Sequence, residues 1–225
     1  QKERDKMVRA AREKMYWIYQ HGYGNSGATN GHVVSNYAKI LEHGFKGEYE
    51  YIEGLYNKLS DADKNGEKGA QLRAMMTACL MPKELSEKYS AFCLECAEKE
   101  SDPARKEELK TMAANTAKVP WNPPENFWEA VQALWMTHML IMADERYPGP
   151  GVSFGRMDQY LYPFYKKSIE DGMSEDFMKE ILGCFWVHCN TVYDAQIRVG
   201  GNQGITAGYG QLIALSGMGK DGEDL

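Results

Sequence analysis

The chain has 225 residues, of which 43% are hydrophobic, and this content is enough to bury a substantial core. Its formal net charge of −6 argues against a nucleic-acid partner, because Lys and Arg are not in excess to replace the counterions of phosphate. No stretch reaches the roughly eighteen uninterrupted apolar residues of a membrane span, so we expect no membrane partner either.

The first predicted element is a helix over residues 7–20, where Met7, Val8, Ala11 and Met15 recur at helical spacing. The residues before it are charged and begin without an initiator Met, so we expect the start to be a cut rather than a natural terminus. Residues 22–31 contain four glycines, which predicts a loop that bends sharply or approaches a ligand.

His32 ends this glycine-rich loop and is a candidate contact for a substrate carboxylate or hydroxyl. The alternative is that His32 packs locally and orients the loop. The next helix is predicted over 36–43 and stopped by Gly44, and others follow over 48–57, 67–80, 82–100 and 102–118. Asp102 as N-cap with Pro103 at the first helical position marks the last of these clearly.

A proline-rich break over 120–124 precedes a helix predicted from Asn126 to about Met142. Its His138 lies on an apolar face and is expected to be a core histidine with satisfied hydrogen bonds. A loop over 147–151 follows, and Pro163 is expected to begin a helix that runs to 171. Arg156 and Asp158 are expected to form an ion pair that pins this stretch to neighbouring helices, with direct substrate contact as the alternative.

The last predicted helix runs from Ser174 to about Val192. It contains Cys184 and Cys189 with His188 between them, an arrangement that permits a metal site or a reactive thiol. We expect Cys184 instead to be a buried thiol that packs as a small hydrophobic group, and we predict no metal site. The five cysteines lie in helix-like stretches, as is typical of reduced thiols in a cytoplasmic protein.

The character of the chain changes after residue 196, where a glycine-rich stretch leads to a strand predicted over 211–215 and a turn over 217–222. Arg198 stands at the start of this stretch, and its guanidinium is suited to hold a carboxylate or sulfonate in a bidentate grip. Asn202 and Gln211 are weaker substrate-binding candidates on the same stretch. A lone strand leaves its backbone groups unpaired, so we expect its partners beyond Leu225.

Four segments of the chain together carry a family resemblance. They are Gly31-His32 to Gly47, Pro120 to Trp135 with its Phe-Trp-Glu-Ala run, Gly155 to Tyr165 with its Gly-Arg-Met-Asp-Gln-Tyr run, and Gln211 to Asp224. In this order they resemble segments of the glycyl radical enzymes, the pyruvate formate-lyase-like superfamily. The resemblance implies an α/β fold, of which this chain is the mostly helical N-terminal part of a ten-stranded α/β barrel.

The same resemblance implies that residues 1–225 are part of a single domain, helical over about 1–195, with the first barrel strand and loops over about 196–225. In such enzymes a glycyl radical oxidises a cysteine to a thiyl, which abstracts hydrogen from a small-molecule substrate. The thiyl cysteine belongs to a Cys-x-Glu loop, whereas Cys93 and Cys96, which do have a Glu two positions later, lie in the helix predicted over 82–100. Asn202 stands where the Arg-Val-x-Gly-aromatic radical loop requires an aromatic residue. We therefore assign no catalytic residue and expect the C-terminal glycyl radical domain to be absent, which would leave the chain inactive by itself.

The resemblance further implies that no cofactor binds directly, that a separate activating enzyme with S-adenosylmethionine and an iron–sulfur cluster installs the radical, and that the enzyme is a homodimer. We expect cleavage of a C–C or C–heteroatom bond, with an arylacetate-type decarboxylase or another lyase, such as one for a small sulfonate, as the first hypothesis. A glycyl radical dehydratase, or a C–S or C–N lyase, is the alternative. A truncated, non-catalytic binding or scaffold protein is the alternative from another class.

Overall fold

The computed structural model describes residues 2–21, 33–144, 152–195, 213–219 and 221–224. The described residues form mostly helices, with two short strands. The helices are α1 (Lys2–Gln20), α2 (Tyr37–Asn57), α3 (Asp61–Asn65), α4 (Glu67–Lys99), α5 (Pro103–Lys118), α6 (Phe127–Asp144), α7 (Met157–Glu170) and α8 (Glu175–Ala195), and the strands are β1 (Val33–Val34) and β2 (Val152–Ser153). None of these helices combines the length and the apolar content that crossing a bilayer would require.

Helix α6 is the centre of the core because it is apolar on nearly all of its faces. It packs against α2, α4, α5, α7 and α8. Its buried residues include Phe127, Ala130, Val131, Ala133, Leu134 and Met136, and Phe154, Met178 and Phe185 from the following elements close the same cluster. The side chains of α7 and α8 are thereby fixed around one helix.

Helix α2 is two helical pieces joined at Gly44, as the sequence predicts. Gly44 has φ +66°, and a Cβ built on it would lie 2.3 Å from the carbonyl oxygen of Trp121. The amides after the break donate to the proline-rich segment, Phe45 to the Pro120 carbonyl at 3.0 Å and Lys46 to the Trp121 carbonyl at 2.9 Å. The kink therefore joins α2 to the segment that leads into α6.

Pro82 and Pro163 lie inside helices, although the sequence predicts that each of them begins one. Helix α4 continues through Pro82, and α7 begins at Met157 with Pro163 in its interior. Each proline removes only one backbone hydrogen bond and already has a helical φ, so packing of the flanking turns can outweigh a cost of about 3 kcal/mol. For α4 that packing runs along α5 and α2.

The strands also differ from the sequence prediction. Strands β1 and β2 pair in parallel with the register Val33 to Val152 and Val34 to Ser153, and neither was predicted. Ile213 forms a parallel bridge with Gly155, and the Ala214 amide donates to the Gly155 carbonyl at 3.0 Å. The strand predicted over 211–215 is thus represented in the described residues by a single bridge at Ile213, whose partner lies inside this chain, while residues 211 and 212 lie outside the described residues.

Candidate functional site

Three stretches of chain far apart in the sequence meet at β2 and the residues that follow it. Val33 and Val34 pair with β2, and Ile213 pairs with Gly155 a few residues later. Both pairings are parallel, so the chain runs in the same direction at Val33, Val152 and Ile213. This meeting point is the candidate functional site, and α6 and α7 lie directly beneath it.

A buried histidine of α6, His138, packs against the residues of the candidate site. The ring of His138 is stacked on the ring of Phe154 with centroids 4.0 Å apart, and its Nδ1 lies 2.7 Å from the hydroxyl oxygen of Tyr37. Burial lowers the pKa of His138 to about 3, so the imidazole is neutral at physiological pH. The prediction of a core histidine with satisfied hydrogen bonds is confirmed.

Two tyrosines complete this aromatic base. The Tyr160 hydroxyl donates to the Phe154 carbonyl at 3.0 Å, and the Tyr37 and Tyr160 rings are 6.2 Å apart. Burial raises the pKa of both hydroxyls well above the ordinary value for tyrosine. These groups stay neutral, which suits them to position the backbone of the site rather than to transfer protons.

Arg156 and Asp158 form the predicted ion pair. Nε and Nη2 of Arg156 donate to Oδ1 and Oδ2 of Asp158, each at 2.8 Å, in a bidentate arrangement. The guanidinium is the main reason that the pKa of Asp158 falls to about 2, so the carboxylate is charged throughout the physiological range.

The ion pair holds a turn of the chain and not the neighbouring helices, which corrects the predicted target. The Ser216 amide donates to Oδ2 of Asp158 at 3.0 Å. The Met218 carbonyl accepts from Nε2 of Gln159 at 2.8 Å and also from Nη2 of Arg156. The residues at the start of α7 therefore contact the chain that follows Ile213 at several points.

The four predicted substrate-binding residues, His32, Arg198, Asn202 and Gln211, lie outside the described residues. Two described residues close to them in sequence do lie at the site: Val33, which follows His32 directly, and Ile213, two positions after Gln211. The contact between Tyr37 and His138, which are 101 positions apart, could not be predicted from the sequence. The helical spacing of α6 marked His138 as buried, but no local pattern identifies its partner.

The cysteines are all free thiols. Cys184 is exposed in the described structure, which contradicts the expectation of a buried thiol, because it is turned by about 100° around α8 from the buried Phe185. Cys189 is partly buried, and desolvation raises its pKa to about 12. Within the part of the chain that the structure describes, no group of three or more His, Cys, Asp or Glu side chains is arranged to hold a metal ion.

Comparisons with known proteins match this chain to members of one family. The family model described as pyruvate formate lyase-like matches residues 2–225. The isethionate sulfite-lyase of Oleidesulfovibrio alaskensis is 38% identical over 198 residues, which cover 85% of this chain and 23% of that protein. The (2S)-3-sulfopropanediol dehydratase of Klebsiella oxytoca is 30% identical over 94% of this chain and 25% of its own length.

A solved structure shows the same fold. The hydroxyproline dehydratase from Clostridioides difficile, with substrate trans-4-hydroxy-L-proline bound, superposes with a TM-score of 0.77 at 30% identity, over 99% of this chain and 29% of that one. The glycyl radical subunit of 4-hydroxyphenylacetate decarboxylase from Clostridium scatologenes is matched at 27% identity, so the comparisons do not support the arylacetate specificity. The chain spans about a quarter of the length of these relatives.

Proposed function

The chain belongs to the pyruvate formate lyase-like family, the glycyl radical enzymes, and from this premise we propose that the polypeptide containing it is a lyase for a small sulfonate. The observation that carries the proposal is the 38% identity with an isethionate sulfite-lyase over 85% of this chain. Cleavage of a carbon–sulfur bond with release of sulfite is the reaction that this similarity favours.

A second relative supports the substrate class independently of the reaction type. The sulfopropanediol dehydratase is named for a different reaction, but its substrate also carries a sulfonate. A sulfonate has three acceptor oxygens and a permanent negative charge, and the guanidinium of Arg198 can donate to two of these oxygens at once. Arg198 is accordingly the residue that we assign to the sulfonate.

His32, Asn202 and Gln211 complete the proposed substrate site. Support comes from the described neighbours of His32 and Gln211: Val33 and Ile213 belong to parallel pairings with the same stretch of chain, residues 152–155. Because both pairings are parallel, Val33 and Ile213 run in the same direction beside this stretch. A buried, uncharged aromatic base formed by Tyr37, His138 and Phe154 would keep this region rigid.

The chemistry of the family supplies the remaining proposals. A glycyl radical installed by an activating enzyme with S-adenosylmethionine and an iron–sulfur cluster would generate the thiyl that abstracts hydrogen from the substrate, with no directly bound cofactor. The residues of this chain would hold the substrate aligned and shielded from solvent, which protects a radical intermediate from side reactions. A homodimer in a reducing cytoplasm is part of the same proposal.

Dehydration is the second candidate, because the hydroxyproline dehydratase superposes over 99% of this chain. The full-length polypeptide is activated anaerobically and offered isethionate, (2S)-3-sulfopropanediol, trans-4-hydroxy-L-proline and 4-hydroxyphenylacetate in parallel. Consumption of isethionate with release of sulfite is the expected result. Turnover of the sulfopropanediol or the hydroxyproline alone would replace the proposed reaction with dehydration, and turnover of 4-hydroxyphenylacetate alone would restore the decarboxylase hypothesis.

The variant Arg198→Lys tests the assignment of the sulfonate contact. A lysine keeps the charge but loses the bidentate geometry, so KM for the sulfonate is expected to rise by about tenfold or more. Arg105→Lys is the matched control, because Arg105 lies in an exposed ion pair on α5. An unchanged KM in Arg198→Lys would remove Arg198 from the site.

A further inference from the structure

The residues at the start of α7 have a role that the ion pair alone does not explain. The side chains of Arg156, Asp158 and Gln159 all direct hydrogen-bonding groups to the backbone of residues 216–218. We name these three side chains the α7 clamp. The backbone carbonyl of Gly155 adds a fourth contact, to the Ala214 amide at 3.0 Å.

The segment that the clamp holds buries little apolar surface. Residues 214–218 are all exposed, with Leu215 at 67% and Met218 at 54%, and Ile213 alone is packed against the core. Apolar packing therefore does little to fix the position of this segment, and its hydrogen bonds must do so. The hydrogen bonds that Arg156 and Asp158 make to this segment involve a charged group, so they are stronger than the bond from the neutral Gln159.

The position of this segment along β2 matters for the proposed substrate site. A strand rises about 3.3 Å per residue, so a slip of one residue moves every side chain by that distance and turns it to the other face. Gln211 comes two residues before Ile213, and Asn202 and Arg198 come earlier on the same stretch. A slip at Ile213 would therefore be passed along the chain to Gln211, which the proposed function assigns to the substrate.

We propose that the α7 clamp is a positioning device, which fixes the register of the segment after Ile213 and through it the substrate-binding side chain of Gln211. Arg156, Asp158 and Gln159 act through the backbone that they hold and do not touch the substrate. This inference rests on the proposed function, because it assumes that Gln211 contacts the substrate.

The test uses the full-length polypeptide with Asp158→Asn, which removes the charge but keeps the size, and Gln159→Ala, which removes one donor to the Met218 carbonyl. Glu108→Gln is the matched control, because Glu108 forms a comparable 2.7 Å ion pair with Arg105 on the exposed surface of α5. Two quantities are measured on the same preparations: hydrogen–deuterium exchange of the peptide covering 213–219, and KM and kcat for the sulfonate.

In Asp158→Asn, exchange of the 213–219 peptide is expected to be about tenfold faster, with the α6 peptides unchanged, because charge-assisted hydrogen bonds are lost only there. KM is expected to rise by about the same factor with a smaller change in kcat, since substrate alignment and not the radical chemistry is disturbed. Gln159→Ala should show the same pattern to a smaller degree, and Glu108→Gln should match the wild type.

If the peptide covering 213–219 exchanges hydrogen for deuterium at the wild-type rate in both variants, the clamp does not hold the segment and the proposal is overturned. Faster exchange spread over α6 would show a role in folding only, and faster local exchange with unchanged KM and kcat would break the link to substrate binding; either result overturns the proposal. A wild-type enzyme that turns over none of the offered substrates would refute the proposed function instead, and the exchange data would still decide whether the clamp holds the segment.

Discussion

The hydroxyl oxygen of Tyr37 and Nδ1 of His138 lie 2.7 Å apart, and both side chains are buried. This contact joins the first turn of α2, just after β1, to the middle of α6. The His138 ring is stacked on Phe154, which directly follows β2. Through this hydrogen bond between two neutral groups and the stacking on Phe154, the residues that follow both strands are attached to α6.

Loss of this bond is expected to weaken the fold at the site. The variant Tyr37→Phe leaves a ring nitrogen of His138 without this partner, at a cost of about 1–3 kcal/mol in the free energy of unfolding. Chemical denaturation measures this difference. Tyr51→Phe is the control, because its ring is 62% exposed on the same helix, and it should leave the free energy unchanged. Equal stabilities for the two variants would contradict the assigned role.

The neutral state of His138 predicts a pH dependence of stability. Burial lowers its pKa from 6.5 to about 3, so between these values the unfolded chain binds the proton that the folded chain excludes. The free energy of unfolding is therefore expected to fall as the pH drops below about 6.5, by up to about 1.4 kcal/mol per unit, and to level off near pH 3. Denaturation of the wild type and His138→Gln between about pH 7.5 and about pH 5 isolates this contribution. The same loss in both proteins would show that His138 is not its source.

Gly44 and Gly54 lie on the same helix and should respond oppositely to alanine. At Gly44 the φ of +66° and the approach of the Trp121 carbonyl predict a loss of at least about 2 kcal/mol. At Gly54 no atom lies within 4 Å of the added Cβ, so Gly54→Ala should stabilise the helix by about 0.5–1 kcal/mol. Thermal denaturation of the two variants provides the comparison. Gly44→Ala with the stability of Gly54→Ala would contradict the kinked geometry of α2.

Ser168 of α7 satisfies a backbone group of another helix. Its buried hydroxyl oxygen accepts from the amide of Phe127, at the start of α6, at 2.8 Å. Because the first amides of a helix lack partners within it, Ser168→Ala should cost about 1–2 kcal/mol. The exposed Ser101→Ala should stay within about 0.5 kcal/mol of the wild type in the same denaturation experiment. A Ser168→Ala protein as stable as the wild type would show that water replaces this contact.

The elements predicted best from the sequence are those with local signals. The start of α5 is confirmed, since Asp102 accepts from the Ala104 amide at 2.9 Å and Pro103 is the first helical residue. The break at Gly44 and the ion pair of Arg156 with Asp158 are also confirmed. In each case neighbouring residues determine the outcome, and the family resemblance rests on such local motifs as well.

The features that the sequence did not predict depend on distant contacts. Strands β1 and β2 have two residues each, too short for an alternating pattern, and exist only because they pair with each other. Pro82 is tolerated inside α4 because other helices pack beside it, and the contact of Arg156 with the Met218 carbonyl joins residues 62 positions apart. Likewise, the exposure of Cys184 depends on which face of α8 packs against α6.

The proposed function requires that the full-length polypeptide can carry a radical on a glycine. Electron paramagnetic resonance of that polypeptide, after anaerobic treatment with the proposed S-adenosylmethionine-dependent activating enzyme, detects such a radical. We expect the doublet of a glycyl radical, lost on exposure to oxygen and accompanied by release of sulfite from isethionate. Absence of the doublet, under conditions in which the same activation produces it in an isethionate sulfite-lyase, would show that the polypeptide is not a glycyl radical enzyme.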